Sequence, residues 1–274
     1  MIPKLVFSDV DGTLLRPDGT LSDRTKSTIE KLKERDIPFI LVSARSPQEM
    51  FALYEMLELD SPVVSYNGGL IFEMHNGDMK VLSDYIIQEE ESKKIYEIIT
   101  NEFPSLNINI YSNTSWYAER HDEWLEMEIE LVKVKPEFRN LGDVVQSGLP
   151  IHKMMLIGPE QTILEAEKTL KANKELTSSI NTSSPNYLEI TNELATKKNG
   201  LQTVVEKFYP DVHIKEVMAL GDGYNDWDML KYAGFGVAMG NAAEEIKQSV
   251  KYVTETNADD GLAKAIEKFV LQNL

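Results

Sequence analysis

Short apolar runs alternate with helical segments along most of this chain, and several of the runs stop abruptly at a polar cluster. Residues 4–8 read as a buried strand that ends at Asp9-Val10-Asp11-Gly12-Thr13. Ser22 is a cap for a helix reaching about residue 35, with Ile29 and Leu32 at helical spacing. A second run, 38–42, ends at Ser43-Ala44-Arg45. Pro47 then opens a helix with Met50, Phe51, Leu53, Tyr54 and Leu57 as its apolar stripe. A third run, 62–66, ends at Asn67-Gly68-Gly69. Strands linked through helices in this way imply right-handed crossovers, and so an α/β, doubly wound, parallel, Rossmann-like sheet.

The rhythm then changes. Residues 70–73 and 79–82 flank Asn76-Gly77, a hairpin signal. From 83 the segments read helix, two short strands (108–110 and 116–118), helix, strand (152–157), helix (161–171) and strand. This stretch is read as an inserted mixed α/β domain. From Tyr187 the first rhythm returns, with strands at 187–190, 217–220, 236–239 and 252–253. Helices at 200–208, 226–232, about 243–249 and 261–271 lie between and after them. The expected division is a core of 1–82 and 188–274, with the insertion at 83–187.

Composition removes several kinds of chemistry. The 274 residues include no cysteine and four scattered histidines. A disulfide scaffold, a thiolate zinc site, an iron–sulfur cluster and a cysteine nucleophile are excluded. Net charge is 28 − 45 = −17, which argues against nucleic-acid and anionic-membrane partners. No run reaches the roughly 18 apolar residues of a membrane span, and residues 1–9 lack the features of a secretion signal. The expectation is a cytoplasmic protein, monomeric or a small homo-oligomer. An anionic substrate would need a local device to overcome the repulsion.

In an open parallel sheet, ligands bind beyond the carboxyl ends of the strands, so the polar clusters there carry the chemistry. Asp9 and Asp11 would repel each other in a crevice unless a cation or proton intervened. Mg²⁺, a hard ion with oxygen ligands, suits them. One such acid can attack phosphorus, and the other can exchange a proton with the leaving oxygen and with water. The Ser43 hydroxyl and the backbone N–H groups at Ser43-Ala44 suit phosphate oxygens. Arg45 fits either a substrate contact or a structural ion pair. In Thr196-Lys197-Lys198-Asn199-Gly200, one lysine can neutralise a phosphoryl group, although cations at a helix start oppose the dipole. In Gly221-Asp222-Gly223-Tyr224-Asn225-Asp226, Asp222 completes the metal set and Asn225 can donate to phosphate. Asp226 suits a metal-bound water or the lysine.

Taken together, these marks resemble the haloacid dehalogenase-like (HAD) superfamily phosphatases of the Cof type, over the whole chain. Asp-x-Asp-Gly-Thr at 9–13 and Gly-Asp-Gly-x-Asn-Asp at 221–226 are the most specific, and Tyr66-Asn67-Gly68 resembles a Cof-type strand end. The resemblance implies a HAD core with the 83–187 insertion as its large α/β cap. It implies that Asp9 is nucleophile and Mg²⁺ ligand, and Asp11 general acid/base with its main-chain carbonyl on the metal. Asp222 and Asp226 complete the metal motif. Ser43, Ala44 and Asn225 would hold phosphate, and Lys197, by its spacing to Gly200, would be the lysine, with Lys198 as competitor. The implied activity is Mg²⁺-dependent hydrolysis of small phosphate monoesters, sugar phosphates or related metabolites, through an aspartyl-phosphate. The alternatives are a phosphomutase of the phosphomannomutase type and a non-catalytic phosphate-binding module. In the cap, Trp116, Tyr117, His121 and Trp124 are read as core more readily than as a sugar pocket. Met127, Met154 and Met155 are read as core filler, and His152 as structural.

Overall fold

The computed structural model describes residues 2–75 and 77–273. The chain opens with β1 (Leu5–Ser8), α1 (Asp23–Lys33), β2 (Phe39–Leu41), α2 (Pro47–Met56), β3 (Val63–Ser65), β4 (Leu70–His75) and β5 (Asp78–Asp84). It continues with α3 (Glu89–Glu102), β6 (Asn107–Ser112), β7 (Ser115–Ala118), α4 (Glu123–Val132), β8 (Glu137–Phe138) and α5 (Leu141–Gln146). Then come β9 (Lys153–Ile157), α6 (Glu160–Ala172), β10 (Ser179–Ser184) and β11 (Tyr187–Thr191). It closes with α7 (Lys197–Phe208), β12 (Val217–Gly221), α8 (Trp227–Tyr232), β13 (Phe235–Ala238), α9 (Glu244–Ser249), β14 (Tyr252–Val253) and α10 (Gly261–Phe269). Among the described residues no helix is long and apolar enough to cross a membrane.

The chain forms two compact units. The first takes the residues up to Arg45, Ala52–Ser83, and those from Thr196 onward; the second takes Ser46–Phe51 and Asp84–Ala195.

The first unit holds the parallel sheet, in the order β14-β13-β12-β1-β2. β1 lies between β12 and β2, with Ser8 level with Leu220 on one side and Leu41 on the other. Both faces are covered, which is why the strands read as unbroken apolar runs rather than as alternation. Leu5 and Phe7 pack with Val217, Ala219, Leu201 and Met229, while Val6 and Met218, pointing the other way, are equally buried. The third expected strand behaves differently. β3 touches the parallel sheet through one bridge, Val42 to Val64, and pairs antiparallel with β4. The hairpin expected at Asn76-Gly77 corresponds to β4 and β5, which share a sheet with β3; Asn76 itself lies outside the described residues.

The second unit is a six-stranded sheet, β10-β11-β9-β6-β7-β8. Ile110, Met154, Leu156, Leu188 and Ile190 point from one face into a core with Ile95, Ile99, Val144 and Ile163. Two short elements escaped the sequence reading. β8 is two residues long, and α5 is six residues, too short to show a helical period although Asn140 caps it by accepting from the Asp143 N–H. Met154 and Met155 are buried as expected, but Met127 is 40% exposed on α4 and fills no core.

The domain boundary at 188 needs correction. β11 pairs antiparallel with β9 and β10, and its alternate residues Leu188 and Ile190 complete the second unit's core. The chain returns to the first unit at Thr196. The apolar run was read correctly as a strand, but period alone does not say which sheet a strand joins. The helix after it also begins at Lys197 rather than Gly200, because the Thr196 side chain caps it by accepting from the Asn199 N–H at 3.2 Å.

Native-state hydrogen exchange should place the Leu188 and Ile190 amides in the same opening unit as Met154 and Leu156, not with β1 and β12. Leu188→Ala should cost about 2–5 kcal/mol in chemical denaturation, the usual range for a fully buried leucine.

Candidate active site

Asp9 follows β1 at its carboxyl end, where its N–H donates to the Leu220 carbonyl at 3.0 Å and so continues the ladder to β12. The chain must then leave the sheet at once. Gly12 makes the exit with φ +76°, in the region that favours glycine. A Cβ on Gly12 would lie 2.3 Å from Asp222 Oδ2, so the same glycine leaves room for the carboxylate after β12. Asp222 is fixed by Thr13 Oγ1, which donates to Oδ1 at 3.0 Å, and by Asn241 Nδ2, which donates to Oδ2 at 3.2 Å.

Asp226 is held by backbone. Its Oδ2 accepts from the Asp222 and Gly223 N–H groups at 3.0 and 2.9 Å. A Cβ on Gly221 would strike its side chain at 2.5 Å. Its Oδ1 accepts from Lys197 Nζ at 2.6 Å, and the same ammonium donates to Asp9 Oδ1 at 2.6 Å. Lys197 is 1% exposed. Its helix, α7, comes close because two glycines face each other. A Cβ on Gly68 would meet the Thr196 carbonyl at 2.4 Å, and one on Gly200 would meet Val64 Cγ1 at 2.5 Å. Lys198 points elsewhere, its Nζ 5.5 Å above the Tyr232 ring. The geometry therefore brings Lys197, not Lys198, to the acids.

The charges do not balance. Asp9, Asp222 and Asp226 can place one oxygen each within 4.8 Å of one another. Three carboxylates and one ammonium leave −3 + 1 = −2. Burial pushes the Asp9 pKa up, as do Asp226 and Asp222, while Lys197 works against them. Burial raises the Asp222 pKa as well. Burial also disfavours the Lys197 charge, but Asp9 and Asp226 together override it and hold the ammonium above its ordinary range. An oxygen-only donor set with two excess negative charges fits a hard divalent cation.

The remaining expected residues sit around this centre. Asp11 is 60% exposed and points outward, its two oxygens accepting from Arg45 Nε at 2.8 Å and Nη2 at 2.6 Å. Of the two roles open to Arg45, the ion pair is the one present. Ser43 is buried and its Oγ accepts from the Arg45 N–H; Ala44 beside it is half-buried. Asn225 is exposed and donates to Asn67 Oδ1 at 3.0 Å. Trp116 and Tyr117 are buried in the second unit, while His121 is exposed against Glu126. His152 is buried there too, accepting from the Asn113 N–H, and burial pushes its pKa down to about 4.

Three participants were not recognised from sequence. Asn241 joins the Gly12 carbonyl to Asp222; it follows β13, a strand whose end carries a single polar residue rather than a cluster. Thr13 was quoted only as part of a motif. Asn67 sits at φ +56° after Tyr66 at φ +50°, an uncommon pair of left-handed residues that holds Asn67 toward Asn225.

The haloacid dehalogenase-like hydrolase family matches residues 6–266, and the chain belongs to it. A Haemophilus influenzae protein provisionally named as a phosphatase is 36% identical over 98% of this chain and 98% of its own. The Bacillus subtilis 5-amino-6-(5-phospho-D-ribitylamino)uracil phosphatase YcsE is 28% identical over 98% and 96%. The crystal structure of a haloacid dehalogenase-like hydrolase from Bacteroides thetaiotaomicron superposes with a TM-score of 0.85 at 30% identity, covering 97% of this chain and 99% of that one. The chain is accordingly a phosphoric monoester hydrolase of this family.

Lys197→Met should destabilise the fold by about 3–5 kcal/mol, because it strands two buried carboxylates. Lys198→Met should stay within about 0.5 kcal/mol, as for a surface change. Urea titration of both variants separates the two lysines.

Proposed function

We propose that this hydrolase removes phosphate from small phosphorylated metabolites by a two-step, Mg²⁺-dependent displacement at Asp9. The observation that carries the reading is the Lys197 ammonium, shared at 2.6 Å between Asp9 and Asp226 within an acid set of net charge −2.

In the first step an Asp9 oxygen attacks phosphorus while the ester oxygen leaves. The Asp11 carboxyl gives that oxygen its proton, yielding an aspartyl-phosphate and an alcohol. In the second step a water attacks phosphorus and loses a proton to Asp11. Inorganic phosphate departs and the Asp9 carboxylate is restored. Lys197 orients Asp9 and, with the Ser43 hydroxyl, the Ala44 N–H and the Asn225 amide, meets the charge on the phosphoryl oxygens. Asp226 serves mainly to fix Lys197. Asp9, Asp222 and the Asp11 main-chain carbonyl would hold Mg²⁺ beside Asp226, where it would supply positive charge opposite the transferring group.

Arg45 constrains the acid step. With both Asp11 oxygens engaged by the guanidinium, Asp11 must rotate or Arg45 withdraw before Asp11 can reach a leaving group. The substrate class is a sugar or polyol phosphate. This is consistent with the phosphorylated ribityl chain in the name of the Bacillus subtilis relative.

Purified protein should hydrolyse p-nitrophenyl phosphate with Mg²⁺, lose that turnover in EDTA, and lose at least about a thousandfold in kcat on Asp9→Asn. Turnover that survives EDTA or the substitution would overturn the proposed chemistry.

A further inference from the structure

Within the first unit, β13 runs beside β12, and the Met239 N–H donates to the Gly221 carbonyl at 3.0 Å. The chain beyond β13 is thereby carried to the edge where Asp222 stands. The next residue, Gly240, is pressed against the segment after β14. Its N–H donates to the Glu255 carbonyl at 3.0 Å, and a Cβ on it would lie 2.8 Å from the Thr256 nitrogen. These contacts fix the backbone on which Asn241 follows.

The Asn241 amide is engaged at both ends. Its Nδ2 donates to the Gly12 carbonyl at 2.9 Å and to Asp222 Oδ2 at 3.2 Å, and its Oδ1 accepts from the Asn257 N–H at 3.0 Å. The last contact fixes which end faces the acids, since the reverse would set an oxygen against a carbonyl and a carboxylate, and donor against donor. Asn257 is anchored in turn, its Nδ2 donating to the Leu15 carbonyl at 2.8 Å. With Thr13 on Oδ1 and Asn241 on Oδ2, Asp222 keeps one orientation, and each oxygen retains a lone pair for a metal. A carboxylate held in advance has less freedom to lose on binding. The donor is also neutral: a lysine in its place would offset the charge of Asp222, whereas an amide leaves that charge to attract a cation. Asn241 is exposed, so it fills no core, and its contacts are what it contributes.

We propose that Asn241 is a positioning residue that sets the affinity of the acid cluster for a divalent cation. It does so by holding the Asp222 carboxylate and the Gly12 turn, which carries the Asp11 main-chain carbonyl, in one arrangement. The inference rests on the Mg²⁺-dependent reading above. Hydrogen-bond partners that orient metal-ligating groups typically contribute about 10–100-fold to metal affinity.

The test titrates MgCl₂ into metal-free protein by calorimetry, in wild type, Asn241→Ala and Asn257→Ala, with urea titration of each metal-free protein to show that it is folded. Asn241→Ala should weaken Mg²⁺ binding at least about tenfold. Asn257→Ala loses the contact with the Leu15 carbonyl but keeps the backbone N–H that holds Asn241, and should bind Mg²⁺ as tightly as wild type. If Asn241→Ala does not fold, Asn241→Ser, polar but too short to bridge both groups, carries the same comparison. Unchanged affinity in the Asn241 variant overturns the proposal. So does an equal loss in Asn257→Ala, which would trace the effect to a loosened loop rather than to the missing amide. A wild type that binds no Mg²⁺ strikes the metal-dependent reading itself, and this inference with it.

Discussion

One ammonium group holds the candidate site together. Lys197 is placed at the first turn of α7, where the helix dipole disfavours a cation, and it is buried, which disfavours charge altogether. Two carboxylates at 2.6 Å outweigh both effects. The pairing depends on other parts of the first unit. Asp226 can wait at the right place because two backbone N–H groups hold its other oxygen. Lys197 can reach it because Gly68 and Gly200 let the helix approach the turn after β3. A methyl group at any of Gly12, Gly68, Gly200 or Gly221 would push apart pieces that the lysine joins.

The parallel sheet explains why this chemistry gathers where it does. Its strands are covered on both faces, so their length has room only for apolar side chains. Polar groups can appear only where a strand ends. β1 lies between β12 and β2, so the residues after three strands share one edge. Asp9, Asp222 and Ser43 thus come from three distant segments and need no long side chain to converge.

The same edge resolves the conflict between a chain of charge −17 and an anionic substrate. Attraction has to be local, and the cation buried at this edge is Lys197. Even so, the three acids outnumber the lysine. A phosphate dianion would meet net negative charge at this edge from the protein alone, so the acid excess is unfavourable for the protein and for the ester alike. An oxygen-donor set with that excess fits a divalent cation, which would turn repulsion between carboxylates into attraction.

The two units differ in how much of their arrangement could be read from sequence, and the reason is geometric. In the first unit, groups that act together lie within a few residues of each other at a strand end. Asp9 and Asp11, or Asp222 and Asp226, therefore announce themselves by spacing. What spacing misses are partners supplied singly, such as Asn241, and the direction of a side chain. Lys197 and Lys198 are indistinguishable as neighbours, yet one is sealed between carboxylates and the other lies over Tyr232. In the second unit nothing is clustered in sequence. Lys153, Glu189 and Tyr111 come from separate strands and share a face only through register. The strand at 187–191 was itself assigned to the wrong sheet, because alternation specifies a buried face but not which one. Groups held together by one local backbone turn leave a motif in the sequence, whereas groups that share a face only through strand register leave none.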